Sequence, residues 1–127
     1  MDNWKEKIGR VCRICRAHAE VVARRRKNKK YFLEDAEAKS NLFPSTFEIP
    51  TKVERLAVRA DDLVKCAFRW TDSSAPTERM WVLVTKVVSK GVFEGTLSNH
   101  PFSKVIELGD VVRFEAKHIL QIYPRAN

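Results

Sequence analysis

The sequence predicts an α+β fold in which a long N-terminal amphipathic helix packs on a curved, roughly five-stranded antiparallel sheet or small barrel. Three observations carry that expectation. Apolar residues recur with a helical period from Trp4 to Val22, and the period changes to two from Leu63 onward. The short alternating runs are separated by regularly spaced turn residues, which favours a sheet that curls on itself. A chain of 127 residues has the length of one domain and buries roughly two-thirds of its unfolded surface, enough for a core without disulfide staples. Its 44% apolar and 31% charged residues are the composition of a globular chain rather than a disordered one.

Taken in order, Asn3 can cap the first helix, and Glu6 completes the Asn-x-x-Glu form of a capping box. Trp4, Ile8, Val11, Cys12, Cys15, Ala19 and Val22 then share one face, opposite Lys5, Arg10, Arg13, Arg16, Glu20 and Arg24. Ile14 and Val21 lie one heptad apart outside that stripe, a second apolar strip available for self-association. Phe32, Leu33 and Ala36 predict a shorter helix over 31–40. Residues 41–50, punctuated by Pro44 and Pro50, read as an extended connector laying Leu42, Phe43, Phe47 and Ile49 along the domain. Thr51-x-x-Glu54 is a second capping box and opens a turn or two of helix.

From there the strands follow. Val64, Cys66, Phe68 and Trp70 alternate with Lys65, Ala67 and Arg69 in the manner of a half-buried strand. Residues 71–77 form a loop. Met80 to Val88 begins apolar on both faces, which predicts a central strand covered on both sides. Ser89-Lys90-Gly91 turns the chain, and Val92 to Leu97 returns with Gly95 as a bulge or point of close approach. After a turn at 98–101, Gly109-Asp110 opens a strand with Val112 and Phe114 inward, and 119–123 closes the pattern. The chain divides into a basic helical segment, 1–40, and a β-rich part, 41–127, together one compact unit.

Charge separates the two parts. Residues 1–40 carry 12 Lys/Arg and 6 Asp/Glu, against 12 and 10 in 41–127. Six of the cations, Arg24, Arg25, Arg26, Lys27, Lys29 and Lys30, fall within seven positions. Like charges so dense repel one another unless an anion relieves them, which makes the run the candidate contact for a nucleic-acid backbone. The nearly neutral remainder argues against a barrel that is itself a nucleic-acid surface. The longest apolar run, Met80 to Val84, is five residues against the ~20 of a membrane-spanning helix. Cations from Lys5 to Arg16 interrupt any secretory signal. The expectation is a cytoplasmic protein with no membrane contact.

Met80-Trp81-Val82-x-Val84-Thr85, Gly95-x-Leu97-x-Asn99-x-Pro101, Leu108-Gly109-Asp110-x-Val112-x-Phe114 and His118-Ile119 resemble the YegJ-like family of uncharacterised bacterial domains. Phe47-x-Ile49-Pro50 and Leu63-Val64-Lys65-x-x-Phe68 are similar to that family's entry strand, although Asp61-Asp62 stands where the family usually has Gly-Asp. The likeness covers about the last 80 residues. It implies a compact β-rich domain and brings no established activity or catalytic residues. By association it also raises an immunity-type or mobile-element accessory role.

No constellation for catalysis emerges. Cys12-Arg13-Ile14-Cys15 with His18 lacks the fourth ligand and the second pair of a structural zinc site, so these residues read as small fillers on the packing face. Cys66 belongs to the core. The three histidines are scattered, no Gly-x-Ser-x-Gly elbow is present, and none of the four glycines makes a Gly-x-Gly phosphate loop. Asp61-Asp62 and Glu34-Asp35 are adjacent pairs that point apart, in solvated turns. The sequence therefore predicts a non-enzymatic binding module with no metal and no cofactor. Its first partner is a protein, with Asn99 and His100 a candidate recognition loop and Ile14 and Val21 the contact of a two-fold homodimer. The alternative is sequence-nonspecific nucleic-acid binding through residues 24–30.

Overall fold

The structure is a computed structural model that describes residues 31–71 and 76–125. Residues 31–127 make one compact unit. The expected first helix, its packing on the sheet, the second apolar strip at Ile14 and Val21, and the basic run all lie outside the described residues.

Five strands run antiparallel in spatial order: β1 (Tyr31–Leu33), β2 (Leu63–Trp70), β3 (Glu78–Ser89), β4 (Val92–Leu97) and β5 (Val111–Glu115). A 3₁₀ turn at Ala116–His118 carries the chain from β5 to β6 (Gln121–Ile122), which pairs with β2. Because β1 occupies the Phe68–Trp70 end of β2 and β6 the Val64–Lys65 end, the sheet curls into a nearly closed barrel. Two short helices, α1 (Ala36–Leu42) and α2 (Lys52–Leu56), complete the fold. No helix among the described residues is long and apolar enough to cross a membrane.

Tyr31–Leu33, expected in a helix, is the edge strand β1, and α1 begins only after Asp35 accepts a hydrogen bond from the Ala38 amide as N-cap. Three residues are too few to reveal a period of two. What fixes them is the partner: Tyr31 pairs with Trp70 and Leu33 with Phe68, so both side chains turn inward. Burial pushes the Tyr31 phenol up to about 12, with the Asp110 carboxylate adding to it. The boundary at residue 40 moves accordingly, since β1 and α1 belong with the β-rich unit.

The core is built from the alternating positions the sequence marks. Val64, Cys66, Phe68 and Trp70 of β2 meet Met80, Val82 and Val84 of β3, Phe93 and Leu97 of β4, and Val112 and Phe114 of β5. Phe93 and Phe114, directly opposed across β4 and β5, stack at 5.3 Å. Each such side chain contributes about 1.5–3 kcal/mol by leaving water. Cys66 is wholly buried, and desolvation pushes its thiol up to about 12, so it is an inert filler. The strand β3 is central, between β2 and β4, but its outward residues Trp81 and Leu83 are half-buried rather than covered. The connector is likewise only partly laid down: Phe47 and Ile49 are half-buried, whereas Leu42 and Phe43 are exposed.

The glycines sit where backbone geometry requires them. Gly91 turns β3 into β4 with φ +76°, a left-handed conformation that costs other residues energy. Gly95 lies against the β3 backbone, opposite Val84 where the register of β3 shifts.

Two charged networks fasten the unit. Thr51 and Glu54 form the capping box of α2, with the Thr51 amide donating to Glu54 at 2.9 Å and the Glu54 amide donating to Thr51 at 3.1 Å. Asp62, expected in a solvated turn, is buried. It accepts two hydrogen bonds from Arg125, at 2.8 and 2.7 Å, and one from the Arg59 amide at 3.0 Å. The Arg125 guanidinium holds the Asp62 carboxyl below the usual carboxylate range, against the opposing effect of burial. A depressed folded-state value means stabilisation that is present above the unfolded pKa, about 3.9, and lost as pH falls through the lower folded one. Equilibrium unfolding of wild type and Asp62→Asn between pH 7 and pH 2 checks this. The wild type should lose stability more steeply below about pH 4, and parallel curves would mean that the pair contributes nothing.

Candidate interaction surfaces

The segment between β4 and β5, residues 98–110, is the long loop of the described unit, and its backbone is tied down along its length. The Ser98 amide donates to the Trp81 carbonyl at 2.9 Å, and the Trp81 amide donates to Asn99 Oδ1 at 2.6 Å. The two carboxylate oxygens of Glu78 accept from the amides of Phe102 at 2.9 Å and Ser103 at 3.1 Å. Ser103 Oγ accepts from the Val105 amide, and Asp110 accepts from the Glu107 amide at 2.9 Å. Ile106 is buried in the core, and Gly109 donates to the Leu97 carbonyl at 2.8 Å.

On this fixed backbone the Phe102 side chain is 93% exposed. It lines a concavity of about 510 Å³ together with Pro76, Thr77, Glu78 and Arg79. A large ring held in water forgoes about 2 kcal/mol of burial, and a loop free to move would fold it down. Here Glu78 holds the backbone on both sides of the ring's point of attachment. The two residues expected in a recognition loop, Asn99 and His100, both lie in this segment and differ in their contacts. Asn99 spends its oxygen bracing the Trp81 amide, while His100 is exposed. Phe102 carries no expectation from the sequence. It is attached to backbone held by Glu78, and the core position in this segment is taken by Ile106.

A second concavity, of about 650 Å³, lies between the connector and the last strand. Ile49, Pro50, Val58, Leu120 and Ile122 make its apolar walls, with Glu48 and Glu54 at its rim. Glu54 is committed to the helix cap.

Among the described residues no three His, Cys, Asp or Glu side chains converge to hold a metal ion. His118 accepts a hydrogen bond from the Glu115 amide at Nδ1, 3.0 Å, inside the 3₁₀ turn. Glu34 reaches Arg69 at 3.8 Å, and Asp35 is an N-cap. Cys12, Cys15 and His18 lie outside the described residues, as do Ile14, Val21 and Arg24, Arg25, Arg26, Lys27, Lys29 and Lys30. The charge bookkeeping sharpens once the unit is known to begin at Tyr31: residues 1–30 hold 11 Lys/Arg and 3 Asp/Glu, whereas 31–127 hold 13 of each. The whole formal charge of +8 precedes the β-rich unit.

Compared with known proteins, the chain matches no family model, no curated protein and no solved structure.

Proposed function

We propose that the β-rich unit is a non-enzymatic protein-recognition module that engages its partner through the 98–110 loop, with Phe102 as the anchor. The carrying observation is the near-complete exposure of Phe102 on a backbone fixed by Glu78. Binding energy at protein interfaces concentrates in a few aromatic or Arg side chains that fill a pocket on the partner. A loop backbone already held in position loses little conformational freedom on binding. The resemblance to YegJ-like domains includes Asn99 and Pro101, which immediately precede Phe102.

A photo-crosslinking phenylalanine analogue at position 102 tests this in the full chain. It should give one discrete adduct, competed by unlabelled wild type and not by Phe102→Ser. The same analogue at Val53, an exposed apolar position elsewhere, should give none. Because Phe102 touches little, Phe102→Ser should change stability by no more than about 0.5 kcal/mol. Identical adducts from positions 102 and 53 would remove the reading.

A second reading is favoured by one observation, the confinement of the entire net charge to residues 1–30. On that reading Arg24, Arg25, Arg26, Lys27, Lys29 and Lys30 neutralise nucleic-acid phosphates without regard to sequence.

A further inference from the structure

We propose that the outward face of β1, β2 and β3 binds single-stranded nucleic acid, stacking bases on Phe32, Phe47 and Trp81 and holding phosphates with Lys39, Lys65, Arg69 and Arg79. This goes beyond protein recognition and does not depend on Phe102.

The alternation that sends Val64, Cys66 and Phe68 into the core sends Lys65 and Arg69 outward on β2, and Arg79 and Trp81 outward on β3. Register then sets them side by side: Lys65 opposite Trp81, and Phe32 of β1 opposite Arg69. The connector adds Phe47. The result is a run of cation–ring pairs on one face. Lys65 lies 4.7 Å from the centre of the Trp81 ring, and Arg69 lies 5.4 Å from that of Phe32. Lys39 and Arg79 lie 4.9 and 5.8 Å from that of Phe47. Tyr123, exposed, stands edge-on to Trp81 at 5.7 Å and extends the aromatic surface.

Two properties point to a polyanion with flat rings. Among the described residues one carboxylate, Glu34, pairs with any of the four cations, at 3.8 Å from Arg69. The other three cations rest on rings, contacts that are weak at exposed sites and therefore exchangeable. A base can take the ring while a phosphate takes the cation, so every group on the face finds a better partner at once. Sequence-tolerant single-strand binding uses this combination of aromatic platforms and a cationic track. A duplex keeps its base faces stacked and could use the cations alone. Alternate residues on a strand are about 6.7 Å apart, so Lys65 and Arg69 span roughly the length of a few nucleotides. The near-neutrality of residues 31–127 argues against a nucleic-acid surface only as an average over all faces, and this face gathers four cations with one paired carboxylate.

The test uses full-length protein, fluorescence anisotropy, and a labelled 12-nucleotide oligo-dT beside a 12-base-pair duplex. Single strand should bind at least tenfold tighter than duplex. Replacing Lys65, Arg69 and Arg79 together by Gln should weaken it at least tenfold and flatten the log–log salt slope by about 2, at roughly 0.7 per phosphate contact on single strands. Tryptophan fluorescence should be quenched on binding in wild type and not in Trp81→Phe. The Arg24→Gln, Arg25→Gln, Arg26→Gln variant should weaken single strand and duplex alike and keep the preference. Should the face triple variant not fold, as judged by its thermal melt, Phe32→Ser alone is expected to cost about tenfold. Equal affinity for single strand and duplex overturns the proposal. So does poly-Glu binding as tightly as oligo-dT, which would assign the face to acidic proteins. Crosslinking from position 102 is read separately from oligo-dT binding, so failure here and failure of the protein-recognition reading remain distinct.

Discussion

Gly95→Ala should lower the melting temperature by roughly 15 °C, the largest effect of any single methyl group in the described unit. A Cβ at this position would lie 2.7 Å from Val82 Cγ1 and 2.9 Å from the Leu83 carbonyl carbon, and closer still to the carbonyl oxygen. The obstacle is backbone, and it belongs to the central strand, so no rotamer change can relieve it. Either β3 and β4 separate around the Val84–Gly95 pair or the core re-registers. Overpacking of this kind costs about 3 kcal/mol, and 1 kcal/mol is worth about 4–8 °C in a domain of this size. Thr96→Ala, one residue on and half-buried, is the control, with an expected change of about 0.5 kcal/mol. Circular dichroism melts of the two variants decide the matter. A Gly95→Ala protein melting within a few degrees of wild type would mean that the strands part without cost.

The second large effect belongs to Arg55. Its side chain is only 5% exposed, and it donates to three acceptors from three parts of the chain. Nε donates to the Pro50 carbonyl at 3.0 Å, and one terminal nitrogen donates both to Glu37 at 3.0 Å and to the Ala116 carbonyl at 3.1 Å. The connector, α1 and the turn after β5 thus share one guanidinium. Arg55→Met should cost about 3 kcal/mol, because it strands the Pro50 carbonyl, leaves the Ala116 carbonyl with the Ile119 amide alone, and removes the ion pair to Glu37. Glu37 is 41% exposed and rehydrates readily, so Glu37→Gln should cost no more than about 1 kcal/mol. Urea unfolding of both variants measures the asymmetry. Equal losses would mean that the ion pair, rather than the two carbonyls, holds the three segments together.

These residues also mark where sequence reasoning succeeds. The alternation of Val64, Cys66, Phe68 and Trp70, and of Val112 and Phe114, is a local consequence of strand geometry, and those side chains form the core as expected. The Thr51–Glu54 box is equally local and is found as read. Asp62 is expected in a solvated turn and Arg55 draws no expectation, because nothing near them in sequence supplies Arg125 or Ala116, their partners more than 60 positions away. Tyr31–Leu33 joins a sheet whose nearest strand begins 30 residues later. The candidate surfaces are less legible again. Phe32, Phe47 and Trp81 come together through strand register and the path of the connector, and the exposure of Phe102 depends on Glu78, 24 positions earlier. Both are properties of the assembled barrel.

The pairing of β6 with β2 joins residues 58 positions apart, Val64 with Ile122. It is extended on either side by the Leu120 and Tyr123 amides, which donate to Lys65 and Leu63. A nascent chain that has delivered β1 to β5 therefore holds a sheet with one flank of β2 only half-paired, and its open edge is a template for other strands. Closure must wait until residues 120–125 have left the ribosome, and it must bring together the most distant parts of the sheet, which places folding toward the slow end for a domain of this size. Until then Arg125 cannot reach Asp62, and that carboxylate stays in water.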